Sequence, residues 1–188
     1  MDALMAALLA AALGQIGDRP ARLTAILADR FARPATVILA AAIALAAATT
    51  IAAVAGAWIA PHLTPEARQL FVALALVLQG GGMLVAAKPP ERLAGWRIGA
   101  FATSLLGLFI LAFGDGVQFV VLALAARAGQ AGFAAAGATI GGLVPLAVAA
   151  VLGEAGWTAL PQLTLRRVAG TVFLLVGLWL GLGALRLI

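Results

Sequence analysis

Between Arg33 and Glu66 the chain runs 32 residues without an Asp, Glu, Lys or Arg, and Pro34–Ile59 is almost wholly apolar. A helix needs about 20 apolar residues to cross a bilayer, so this segment alone is long enough to span one. The rest of the 188 residues is similar: 64% are hydrophobic, 10% are charged and mean hydropathy is +1.13. Soluble domains are about 45–50% apolar and about a quarter charged, and at this length they bury only about 70% of their surface. A soluble enzyme, a secreted disulfide module and a disordered tail are therefore excluded. The expectation is an all-α integral membrane protein.

Six spans are read from the apolar runs: 3–28, 34–59, 70–87, 98–126, 132–152 and 168–185. The first is interrupted at Gly17-Asp18-Arg19-Pro20, and the fifth is expected to kink at Pro145. With six spans, Arg30, Arg33, Lys88, Arg92, Arg97, Arg166 and Arg167 lie on one side; Arg68, Arg127 and Arg186 lie on the other. Seven against three, by the positive-inside rule, puts the first group in the cytoplasm and both termini outside. The bilayer implied is the bacterial inner membrane. The acidic Met1-Asp2 start does not look like a cleaved signal peptide.

The net charge of +5 is spread without a long basic run, so it reads as topology and not as nucleic-acid binding. No cysteine is present, which removes thiolate metal sites and cysteine nucleophiles, and the single histidine, His62, sits in an expected turn. No Ser/His/Asp set or phosphate loop suggests an enzyme. Thr64-Pro65-Glu66 has the cap, first-turn proline and acidic residue of a helix start.

The sequence also repeats. A shift of 97 places Gly17-Asp18 on Gly114-Asp115, and a shift of 100 places Pro61, Leu63 and Thr64 on Pro161, Leu163 and Thr164. The expected organisation is a three-helix repeat over 1–87, a cytoplasmic linker over 88–96 and a second three-helix repeat over 97–188. An odd number of spans inverts the second copy, an architecture of many secondary transporters whose sites lie where interrupted helices meet.

Asp115 follows 17 uncharged residues and precedes 11 more. A carboxylate so placed costs about 2.5–3.5 kcal/mol to insert, so it must be protonated, paired, or turned to water or an ion. Asp18 has Arg19 beside it and Arg22 four residues on, and it is also placed to cap the helix restarting at Pro20. Gln15 and Gln118 stand within a turn of the two aspartates. Thr24, Thr49, Thr50, Gln79, Thr103 and Ser104 either line an interior or bond their own helices. Carboxylate, amide and carbonyl oxygens together suit a hard divalent cation. Gly80-Gly81-Gly82 and Gly141-Gly142 read as close helix packing.

Gln15-Ile-Gly-Asp-Arg-Pro20, an apolar helix and Ala28-Asp-Arg-Phe-Ala-Arg-Pro34 resemble the first signature of the Golgi-type calcium/manganese:proton antiporters, whose bacterial branch exports manganese. That signature, Glu-x-Gly-Asp-[Lys/Arg]-[Thr/Ser], occurs once in each inverted half, and Ala112–Gln118 occupies the second position. The chain departs from it at Gln15 and Ala112, which replace the two glutamates, and at Pro20, Gly116 and Val117. The resemblance implies a six-helix fold like that of lysine-exporter-type transporters. It implies Asp18 and Asp115 as metal ligands, Gln15 and Gln118 as further cation-binding groups, and Arg19 as a gating or charge-tuning residue; Arg22, four residues from Asp18, is expected to tune charge beside it. It also implies Mn2+ or Ca2+ as transported substrate with no resident cofactor, lipid and protons as further partners, and a possible homo-oligomer. Two other expectations stand beside it: export of another small solute such as an amino acid, and a non-transporting paralogue.

Overall fold

The computed structural model describes residues 2–187, and among these every regular element is helical. The elements are α1 (Asp2–Gly14), α2 (Arg19–Phe31), α3 (Pro34–Ile59), α4 (Pro65–Leu84), α5 (Ala100–Phe113), α6 (Gly116–Ala128), α7 (Ala131–Ala159) and α8 (Gln162–Ala184), with one 3-10 turn at Ala60–His62. At 1.5 Å per residue the 26-residue α3 is about 39 Å long, enough for a hydrocarbon core about 30 Å thick.

Four helices, α3, α4, α7 and α8, are long and apolar enough to cross a membrane, and α5 with α6 makes a fifth candidate, bent by 64° at its break. The expected first span resolves into α1, apolar but only 13 residues, and α2, whose four charges make it amphipathic. Both breaks fall at the Gly-Asp pairs of the sequence. Gly17 has φ +67°, a conformation that glycine adopts without a Cβ penalty, and Asp18 and Asp115 are the N-caps of α2 and α6.

The expected kink at Pro145 is not where α7 breaks. Pro145 is buried inside the helix, whereas Gly153 has φ 68° and ψ −179° and ends the helical run. A proline's fixed φ is compatible with a helix at the loss of one hydrogen bond; a left-handed residue is not. The Asp29 carboxylate sits against Gly153 and accepts a 2.7 Å hydrogen bond from the Glu154 amide, capping the residues beyond the break.

Helices from the two ends of the chain interleave: α4 lies along α8, α1 and α2 along α7, and α5 and α6 along α3. Small residues set the spacing. A Cβ on Gly137 or Gly141 would fall 2.1 Å from the Leu4 or Leu8 carbonyl oxygen of α1. Gly80 likewise faces the Gly170 carbonyl of α8, whereas Gly81 and Gly82 face open space. Around this interior the surface is apolar, with Leu39, Ile43, Val54, Ile110, Val144 and Leu175 all exposed. Trp58 and Trp179 are exposed near the end of the bundle opposite the 85–99 linker; tryptophan is enriched at membrane–water interfaces.

Candidate functional site

Because α1–α2 and α5–α6 are each interrupted partway through the bundle, the two breaks bring four short helix ends together. The Gln15 amide Nε2 donates a 2.9 Å hydrogen bond to Asp115 Oδ2, joining one break to the other. The other Asp115 oxygen, Oδ1, accepts from the Val117 amide at 3.4 Å, and Asp18 Oδ1 accepts from the Arg19 amide at 2.8 Å. The capping role open to Asp18 in the sequence is therefore real, and Asp115 shares it.

Both aspartates line one cavity of about 290 Å³ with Arg19, Pro20, Gly114 and Gly116. Gln15 is 1% exposed, and its Oε1 is buried with no hydrogen-bond partner. Gln118 is buried as well, with neither polar atom of its amide bonded, but it lines a separate, largely apolar cavity with Ala48, Ala52, Asp115 and Phe119. Gly114, Asp115 and Gly116 are common to both cavities, and Asp115 brings the one charged side chain they share.

The charge balance differs from the expected one. Neither Arg19 nor Arg22 forms an ion pair with Asp18; Arg166 of α8 does, at 3.0 Å, with both side chains nearly buried. Its guanidinium also donates to the Gly17 and Gly82 carbonyl oxygens. In the sequence Arg166 counts only as one more basic residue beside Arg167, and nothing local distinguishes the two. Arg19 is exposed, and Arg22 is half-buried with its Nε unbonded. They line a second cavity of about 180 Å³, together with Asp18, Lys88, Gln162 and Arg166.

Of the other oxygen donors, Gln79 comes closest to the breaks. Its amide lies between Gly14 at the end of α1 and Gly116 at the start of α6, where a Cβ on either glycine would meet it. Thr24 bonds its own helix at Pro20 O, and Thr49 pairs with Thr139 at 2.8 Å. Thr103 and Ser104 are buried with unbonded hydroxyls, and Thr50 is exposed. Among the described residues no three His, Cys, Asp or Glu side chains gather. The polar centre is two carboxylates surrounded by amides, with one guanidinium.

The sequence profile of the divalent cation/proton antiporter GDT1 family matches residues 3–91 and 100–187, nearly the whole chain. The chain belongs to the GDT1 family. A Vibrio cholerae serotype O1 protein named "Putative manganese exporter" is 27% identical over 183 residues, covering 95% of this chain and 90% of that protein. No solved structure matches. Membership accounts for the apolar helices and marks the chain as a multi-pass membrane protein of a transporter family. The GDT1 match also leaves out residues 92–99, the stretch between the two matched segments and part of the irregular linker joining α4 to α5. Arg30 of α2 donates to the Leu93, Ala94 and Trp96 carbonyls and fastens that linker to the bundle.

Proposed function

We propose that this GDT1-family chain is a secondary transporter exchanging a divalent cation, Mn2+ or Ca2+, for protons, and exporting it across the bacterial inner membrane. In this reading α1 with α2, and α5 with α6, are each one broken crossing. The chain then crosses six times, as two inverted three-helix repeats, 1–87 and 97–188, joined by a cytoplasmic linker. The match of the family profile in two stretches supports the repeat.

Asp18 and Asp115 would be the metal ligands, Gln15 and Gln118 supplementary oxygen donors, and Arg19 and Arg22 the residues tuning charge at the approach. The observation that carries the reading is the hydrogen bond from Gln15 to Asp115, made across the two breaks beside a cavity that both aspartates line. Carboxylate and amide oxygens are what a hard cation takes. A buried carboxylate freed of its cation also holds a proton more readily than one in water, so one site serves both partners of the exchange.

The test is flux. Purified protein in liposomes should move Mn2+ or Ca2+ when a proton gradient is imposed, and Asp18→Asn and Asp115→Asn should abolish that movement. Wild-type liposomes that pass neither ion would refute the proposal. The Asp18–Arg166 pair favours a second reading, a small zwitterion such as an amino acid, because it brings the polar centre closer to neutral. Thermal stabilisation by Mn2+ and by no amino acid decides between the two.

A further inference from the structure

We propose that Arg166 is a tethered cation: its guanidinium holds the Asp18 carboxylate while no substrate is bound, and an incoming divalent cation displaces it to use that carboxylate. The inference rests on the cation-transport reading and assigns to α8 a residue that sets the affinity of the site.

Three observations carry it. First, Arg166 is not an ordinary basic residue at a helix end. It is 7% exposed, and its Nε is buried without a partner. Its two terminal nitrogens reach Asp18 Oδ1 at 3.0 Å, Gly17 O at 3.4 Å and Gly82 O at 3.0 Å. Arg167, its neighbour, is exposed and reaches only the Leu84 carbonyl. Arg167 satisfies the topological need for positive charge, so that need does not explain burying Arg166.

Second, the pairing of α4 with α8 does not require a buried arginine. The register that sets Pro61-His-Leu-Thr64 on Pro161-Gln-Leu-Thr164 sets Glu66 on Arg166, and Glu66 is exposed, with no ion pair among the described residues. The two aspartates are correspondingly unequal. Asp115 is met by the neutral amide of Gln15, and Asp18 by a full positive charge.

Third, the surroundings return the guanidinium to its place. The cavity beside it carries Arg19, Arg22 and Lys88, and its only carboxylate is Asp18. An arginine displaced into that cavity meets like charge, so the empty site is the favoured resting place. An ionised carboxylate in a low-dielectric interior is costly without a partner. Exchanging guanidinium for metal keeps Asp18 compensated throughout, and the returning guanidinium helps drive the metal off.

The experiment measures Mn2+ and Ca2+ binding to purified full-length protein, and Mn2+ flux in liposomes, for wild type, Arg166→Gln, Arg166→Lys, and each change combined with Asp18→Asn. Removing the competitor should tighten Mn2+ binding about tenfold or more, a change worth about 1.4 kcal/mol, while maximal flux falls because release slows. Arg166→Lys, which keeps a cation but loses the fork, should lie between the two and carries the test if Arg166→Gln does not fold. In the Asp18→Asn background neither change should alter affinity. A merely structural arginine would give weaker binding or none of these effects. Binding that is unchanged or weaker in both single variants overturns the tethered-cation role and leaves the transport reading standing. Absence of Mn2+ and Ca2+ binding in wild type and variants alike overturns both.

Discussion

Gln15 and Asp115 are 100 residues apart in sequence and 2.9 Å apart in space, amide nitrogen to carboxylate oxygen. Gln15 stands where the family signature has glutamate, so Gln15→Glu would set a third carboxylate against Asp18 and Asp115. Without a cation the three would repel, and the purified protein should lose thermal stability. With one bound they should hold it harder, since ligand charge is a main control of affinity for hard divalent cations. Mn2+ titration should show binding tighter by about tenfold or more, together with a larger Mn2+-induced rise in Tm than in wild type. An equal response in both proteins would remove Gln15 from the site.

Asp115→Asn keeps an oxygen able to accept from the Val117 amide, so the start of α6 should survive and the protein should fold. Its charge is gone, however, and so is the ligand that the proposed cation site takes from α6. Outer-shell changes at metal sites typically cost 10–100-fold, so loss of a direct ligand should lower flux by about 100-fold or more. Asp18→Asn should do likewise, and it should further loosen α8 by leaving Arg166 buried and unpaired, which destabilises by about 3–5 kcal/mol. Unfolding in detergent should therefore separate the two variants, with Asp115→Asn the more stable.

The positions of the breaks are legible in the sequence because an aspartate inside an apolar run is costly, and a glycine before it lets the helix end where that aspartate can cap the next one. Asp18 and Asp115 can be paired by the repeat register alone. The ion-pair partner of Asp18 is not legible. Arg19 and Arg22 are near in sequence, whereas Arg166 arrives on another helix, and only helix phase decides that Arg166 turns inward and Arg167 outward. The break in α7 departs from expectation for a related reason. A proline announces a lost hydrogen bond, but at Gly153 the decision comes from the carboxylate of Asp29 on a distant helix. Gln118 stands within a turn of Asp115, yet it faces a different cavity from the one both aspartates line, which spacing along one helix does not reveal.

Close packing and open space can be told apart at two glycines. Gly141→Ala places a methyl group 2.1 Å from the Leu8 carbonyl oxygen, so α1 must move away from α7. Overpacking of this kind costs about 1–3 kcal/mol, and because Gln15 directly follows α1, flux should fall with stability. Gly81→Ala meets nothing within 4 Å and lies within α4. There the gain in helix propensity should leave stability unchanged or raise it by about 0.5–1 kcal/mol, with flux as in wild type. Thermal unfolding and liposome flux on the two variants check the pair.

Asp29→Ala tests how the linker end of the bundle is held. The carboxylate accepts from the Glu154 amide at 2.7 Å and packs against Gly153, and Glu154 in turn pairs with Arg92 of the linker. Removing it leaves the Glu154 amide without its acceptor just beyond the break in α7. The site is exposed, so water replaces part of what is lost, and the cost should be near the 0.5–2 kcal/mol of a missing helix cap. Backbone hydrogen exchange should rise first at residues 153–159 and then in the linker, while the two aspartates and their bonds stay in place. Mn2+ affinity should therefore hold while transport slows. A fall in affinity equal to the fall in rate would mean that this end of the bundle and the proposed cation site are one unit.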